Sequence, residues 1–89
     1  ERRRARIGGT TLKLRFTYCQ ECKNWIQALK DLEHIYPRFN QSVESVEMVA
    51  GSDGVYDVHR DGQLVFSKDQ ENRFPEEAEV ARRLAEAAG

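Results

Sequence analysis

Hydrophobic and polar positions alternate strictly between residues 11 and 18. Leu12, Leu14, Phe16 and Tyr18 form one set, and Thr11, Lys13, Arg15 and Thr17 the other. A period of two predicts a β-strand over residues 10–18 with one face buried more deeply. The period changes after Cys19. Cys22, Trp25, Ile26, Leu29, Leu32 and Tyr36 recur at three- and four-residue intervals, with Lys23, Asn24, Gln27, Lys30, Asp31 and His34 between them. This predicts an amphipathic helix whose first set faces a sheet and whose second set faces solvent. Pro37 is expected to end it, because the residue before a proline avoids helical angles.

A second strand is expected over residues 43–50, with Val46, Met48 and Ala50 inward, followed by a turn at Gly51-Ser52-Asp53-Gly54. Residues 55–60 and 63–68 are short β runs joined by Asp61-Gly62. Asp-Gly between such runs signals a hairpin, because both turn positions want positive φ. Phe74-Pro75-Glu76-Glu77 is expected to open a last helix, since proline suits the first helical position and acids suit the first turn. Val80, Ala81, Leu84 and Ala88 mark its inner stripe and Gly89 is a candidate cap. The order is β-α-β-β-β-α. The first two strands should be parallel and the last two an antiparallel hairpin. The expected fold is α/β and thioredoxin-like, with a four-stranded mixed sheet and two helices.

Length changes this picture little: 89 residues make one domain, read as residues 10–89. Residues 1–9 read as a basic, flexible N-terminal extension carrying Arg2, Arg3, Arg4 and Arg6. The net charge is -1, and beyond residue 9 there remain 10 basic and 14 acidic residues, so no nucleic-acid partner is expected. No apolar run approaches the roughly 20 residues of a membrane span, so no membrane role is expected. No secretory signal is seen and one cysteine pair is too few for a secreted disulfide scaffold, which makes the cytoplasm the default. A monomer is expected.

The chemistry concentrates in Tyr18-Cys19-Gln20-Glu21-Cys22, which holds both cysteines of the chain. At the junction of a strand and a helix, a C-x-x-C pair reads as a redox dithiol. Two intervening residues let the sulfurs meet, and a helix starting there would lower a thiolate's pKa. Glu21 opposes that effect and Lys23 offsets it. Cys19, at the expected helix N-terminus, is then the accessible attacker, while periodicity turns Cys22 inward. A zinc site is disfavoured, because His34 and His59 lie at the wrong spacings. Tyr18, Trp25, Gly51, Ser52 and Phe74 are candidate walls of the site. For Tyr18 and Trp25 a place in the core or at its rim is the plainer reading, for Phe74 a core plug rather than a lip over the dithiol, and for Ser52 turn chemistry.

These residues resemble one family, the Rdx family of selenoprotein W-related thioredoxin-like proteins. The resemblance rests on Leu14 to Cys22 followed by an early Trp, and on Gly51 to Val58 with its Gly-x-x-Gly turn. It rests also on Asp61-Gly-x-Leu-Val-aromatic-Ser-Lys68, and on Phe74-Pro75. The resemblance implies a thioredoxin-like fold and thiol-dependent redox activity linked to glutathione. It also implies Cys22 as the more reactive position, because selenocysteine stands there in selenoprotein members. That conflicts with the access argument, which favours Cys19. The chain lacks the Trp-Cys-Gly-Pro-Cys of thioredoxin, and its Gly51–Gly54 loop stands where thioredoxins place a cis-proline, so a narrower thiol activity is expected. The expected function is thiol–disulfide oxidoreduction, linked to glutathione or thioredoxin, with no bound cofactor, glutathione as co-substrate, and glutathione or protein thiols and disulfides as partners. The alternative is a binding module whose partner interface is switched by oxidation or glutathionylation of the pair.

Overall fold

The computed structural model describes residues 11–88, with the side chains of the last two left aside. The basic segment over residues 1–9, the Ala88 side chain and Gly89 lie outside the described residues. Strand β1 (Leu12–Cys19) leads to helix α1 (Trp25–Phe39), a single 3-10 turn (Asn40–Ser42) and β2 (Val43–Gly51). Then come β3 (Tyr56–Arg60), β4 (Gln63–Ser67), a one-turn α2 (Lys68–Glu71) and α3 (Glu79–Ala88). The sheet order is β2-β1-β3-β4. β1 and β2 are parallel, whereas β1–β3 and β3–β4 are antiparallel. This is the expected mixed, thioredoxin-like sheet, with three helices rather than two. No helix among the described residues is long and apolar enough to cross a membrane.

The alternation over β1 holds: Leu12, Leu14 and Phe16 are buried and Lys13 and Arg15 exposed. The β3–β4 hairpin turns on Asp61 and Gly62, at φ 51° and 85°. Val80, Ala81 and Leu84 of α3 reach the core, with Val58, Phe66, Tyr56, Ala28 and Ile35. α1 and α3 pack against each other on one face of the sheet.

Three helix expectations are corrected. α1 runs through Pro37 to Phe39. In the last turn the missing N–H of proline costs only one bond, and the Asn40 N–H donates to Tyr36 O beyond it. Pro75 does not open α3. Ala78 takes φ 65°, and the helix starts at Glu79, whose carboxylate accepts the Glu76 N–H at 2.8 Å. α2, capped by the Ser67 hydroxyl accepting from the Gln70 N–H at 3.4 Å, was not expected.

A further correction concerns which way α1 faces. Ala28, Asp31 and Ile35 are its buried side chains. Trp25, Ile26, Leu29 and Tyr36, expected inward, are exposed, Trp25 at 41% and Leu29 at 52%. Asn24 and Asp31, expected in solvent, are buried. Asp31 is drawn in by two donors, the Tyr56 hydroxyl and the Gln27 amide at 3.1 Å. Of the apolar arc of α1, only the border that carries Leu32 reaches the core.

The α2–α3 corner is held by charge. Arg73 and Arg83 each donate to the buried Glu79 carboxylate at 2.7 Å. Arg83 also reaches Glu71 at 2.6 Å, and both guanidinium groups lie about 5 Å from the Phe66 ring centre.

Candidate dithiol site

The site is built where β1 ends. Cys19 is the last residue of β1 and sits in register with Gly51, the last residue of β2. Its N–H donates to Val55 O at 2.8 Å, so its backbone is tied to the loop before β3. Residues 20–24 then form a tight turn, with Lys23 at φ 60°. Within it Lys23 N–H donates to Gln20 O and Asn24 N–H to Cys19 O, both at 3.1 Å. The Gln20 N–H crosses to Gly51 O at 3.2 Å.

This turn brings Cys19 and Cys22 to disulfide distance, with Cα atoms 5.3 Å apart. The two sulfurs are not equivalent. Cys19 is fully buried, whereas Cys22 is exposed. The Cys22 N–H donates to Cys19 Sγ at 3.3 Å.

This arrangement reverses the access expected from periodicity. The helix begins at Trp25, not at the motif, so the helical spacing that turned Cys22 inward does not extend to it. Cys19 instead inherits the burial of the strand end. The electrostatic help expected from a helix terminus is supplied locally, by one N–H of the turn.

Asn24 is the residue that sequence reasoning missed. It is buried, and its side-chain amide donates to both Gly54 O at 3.2 Å and Val55 O at 3.0 Å. Val55 O therefore accepts from both ends of the C-x-x-C turn, the Cys19 N–H and the Asn24 amide. An Asn at a helix start normally caps its own helix, but this one makes no such bond. Its place immediately after the motif was the available signal.

The other expected wall residues separate. Gly51 touches the site directly: a Cβ there would lie 2.9 Å from Val55 Cγ1 and 3.5 Å from Tyr18 O. Tyr18 is half-buried against the core. Trp25 is 41% exposed just beyond the turn, which leaves it at the rim and not in the core. The Ser52 hydroxyl donates to Asp53 Oδ2 at 3.4 Å, as turn chemistry requires. Phe74 is no core plug. It is 40% exposed, with its ring centre 6.0 Å from that of Tyr56 and the Lys68 ammonium 5.4 Å above it.

Comparison with known proteins agrees with this geometry. The Rdx family model matches residues 13–86. No curated protein matches the chain. Among solved structures, the chain is similar to the selenoprotein W-related protein of Vibrio cholerae. Identity is 18%, over 90% of this chain and all of that one, with a TM-score of 0.81. It is also similar to a Bordetella parapertussis protein, at 21% identity over 86% of this chain and 98% of that one, with a TM-score of 0.79. At such identities the structural likeness shows the fold, and the family model covers most of the chain including both cysteines. The chain belongs to the Rdx family.

Proposed function

We propose that this protein is a thiol–disulfide oxidoreductase in which Cys22 exchanges with substrate and Cys19 resolves, with glutathione as co-substrate. One observation carries the reading: of two sulfurs at bonding distance, one is exposed and the other is buried and receives an N–H.

The steps follow from that asymmetry. In the oxidised form a glutathione thiolate attacks Cys22 Sγ, the sulfur it can reach. The Cys19–Cys22 bond breaks and its electron pair leaves on Cys19 Sγ, where the Cys22 N–H steadies the new thiolate. A second glutathione thiolate attacks the glutathione sulfur of the mixed disulfide and releases Cys22. Two thiols have become one disulfide, and their protons end on Cys19 and Cys22. In the other direction the Cys22 thiolate attacks a substrate disulfide and expels one substrate thiolate. Cys19 then attacks Cys22 Sγ and expels the second. A resolving thiolate needs no access to solvent, only to its neighbour, so burial of Cys19 suits that role.

The test is equilibration in glutathione buffers of graded potential, followed by alkylation and intact-mass measurement. A reversible two-proton mass loss is expected. Cys19→Ser should accumulate a glutathione adduct on Cys22, because nothing resolves it. An adduct that forms on Cys19 in Cys22→Ser, and not on Cys22 in Cys19→Ser, would reverse the assignment. Thiols that alkylate only on unfolding would end the redox reading.

A further inference from the structure

Strand β2 is an edge of the sheet: among the described residues it pairs with β1 alone. Its side chains Val46, Met48 and Ala50 stand beside Leu14, Phe16 and Tyr18, on the face where the helices pack. Yet Met48 is 39% exposed and Ala50 is also uncovered. The reason lies in the placement of α1. Its Gln27, Asp31 and His34 flank lines a groove with Pro75, Glu77 and Ala78, so that flank faces α3. The opposite flank carries Trp25, Leu29, half-buried Leu32 and Tyr36, at helical spacings of four, three and four. α1 packs on β1 and α3, and α3 packs on β4, so this flank lies on the β2 side of the sheet. An apolar strip therefore runs beside a strand edge with free backbone groups, and such an edge is a ready template for another strand.

The strip ends at the dithiol. Gly51 closes β2 opposite Cys19, the Gln20 N–H donates to Gly51 O, and Trp25 follows three residues after exposed Cys22. Small ligands take concave sites. Two grooves of about 410 Å³ open elsewhere, one beside α3 and the other lined by Lys13, Arg15, Glu47 and Asp61. Neither is lined by Cys19 or Cys22.

We propose that the free edge of β2 takes an extended segment of a protein substrate as an added strand. Its alternate apolar side chains lie on Met48, Leu29 and Trp25, and its cysteine comes to the level of Gly51. The proposal rests on the exchange reading given above and names its protein substrate class. Main-chain pairing would supply affinity, and alternate side chains specificity. Charge argues for a foreign strand over a second copy of this chain. Glu47 is the midpoint of Val43–Gly51, and antiparallel self-pairing centred there sets it against its own copy. Like charges directly opposite are destabilising. A substrate strand with Lys or Arg at that position is complementary, and it would meet Glu47 on the face where Arg15 already does, at 3.2 Å.

The experiment titrates the isotopically labelled full chain with a nine-residue peptide. The peptide has Val at alternate positions, Lys between them and Ser in place of cysteine. The readout is amide shifts and hydrogen exchange. Expected are shifts across residues 43–51 and slowed exchange at those of their amides that point away from β1, with a shift of the Trp25 indole. Weakening of at least tenfold is expected in the Leu29→Ser, Met48→Ser double variant, whose two sites are exposed enough to leave the fold intact. Shifts confined to the groove beside α3 would overturn the proposal. So would protection, without peptide, of the β2 amides that point away from β1. Protection rising with protein concentration would mean that a second copy takes the edge, and protection independent of it that the chain's own residues do. Because the Ser peptide carries no thiol, it reads docking whether or not the sulfurs exchange. The glutathione titration reads exchange without any docking.

Discussion

The Tyr56 hydroxyl donates to the Asp31 carboxylate at 2.5 Å, inside the core. Burial pushes both groups above their ordinary pKa values, with the Asp31 charge adding to the effect on Tyr56. The pair joins the middle of α1 to β3 and sets how α1 is turned. Tyr56→Phe should leave the carboxylate with Gln27 as its one remaining side-chain donor and lower stability by about 1–3 kcal/mol. Denaturant unfolding measures this, and an unchanged midpoint would show that the bond adds nothing.

The same carboxylate gives a pH dependence with a definite sign. Desolvation raises the folded-state pKa of Asp31 above 3.8, against the opposing hydrogen bonds from Tyr56 and Gln27. The group therefore contributes stability fully below pH 3.8, and the contribution is lost as pH rises through the raised value. Asp31→Asn keeps an acceptor for Tyr56 and removes the titration. Thermal melts should show the variant gaining on the parent at pH 7 relative to pH 3, and parallel pH profiles would contradict this.

Glu79 gives the opposite sign. The Arg73 hydrogen bond, with the Glu76 N–H and the Arg83 charge, holds its pKa down at about 2 from 4.5. Its stabilisation is present above pH 4.5 and is lost as pH falls toward 2. Glu79→Gln should flatten the acid limb of the stability profile. At neutral pH the loss should be on the order of 1–2 kcal/mol, because the partly exposed arginines are screened by solvent. Melting midpoints between pH 2 and 6 decide it.

Asn24 positions the cysteines without touching a sulfur. Asn24→Ala removes two hydrogen bonds to the Gly54–Val55 backbone. A loss of about 1–3 kcal/mol is expected, with Cys19 of the reduced protein alkylating severalfold faster as the turn loosens. A purely structural role would lower stability and leave the ratio of Cys19 to Cys22 alkylation rates unchanged.

Gly51→Ala places a methyl 2.9 Å from Val55 Cγ1. Val55 must shift, and its carbonyl is what holds both Cys19 and Asn24. About 1–3 kcal/mol of destabilisation is expected from overpacking. A measured shift in the dithiol potential would follow, and an unmoved potential would separate the loop from the chemistry.

The strands were legible because their signal is local. Alternation over Leu12–Phe16 and the Asp61-Gly62 turn need no knowledge of distant partners. The C-x-x-C motif was legible for the same reason. What the pattern could not carry was the facing of α1. Asn24 and Asp31 read as surface residues until Gly54, Val55 and Tyr56, some 25 to 31 residues away, supply their partners. The start of α3 was hidden similarly, because it depends on Ala78 taking a left-handed backbone and on Glu79 gathering two arginines. Burial of Cys19 belongs with these, since the strand end that encloses it is completed by Val55.

The Cys19–Val55 link has a consequence for assembly. Cys19 and Cys22 are neighbours in any state of the chain, so their pairing asks almost nothing of loop closure. The inequality of the two sulfurs asks for much more. It exists only after the parallel strand has returned across α1 and the Gly51–Val55 segment has closed over the strand end. Parallel pairing of that kind is slow to form because long loops must close before any contact rewards them. A nascent or partly unfolded chain thus carries two interchangeable thiols, and the completed fold is what gives them separate duties.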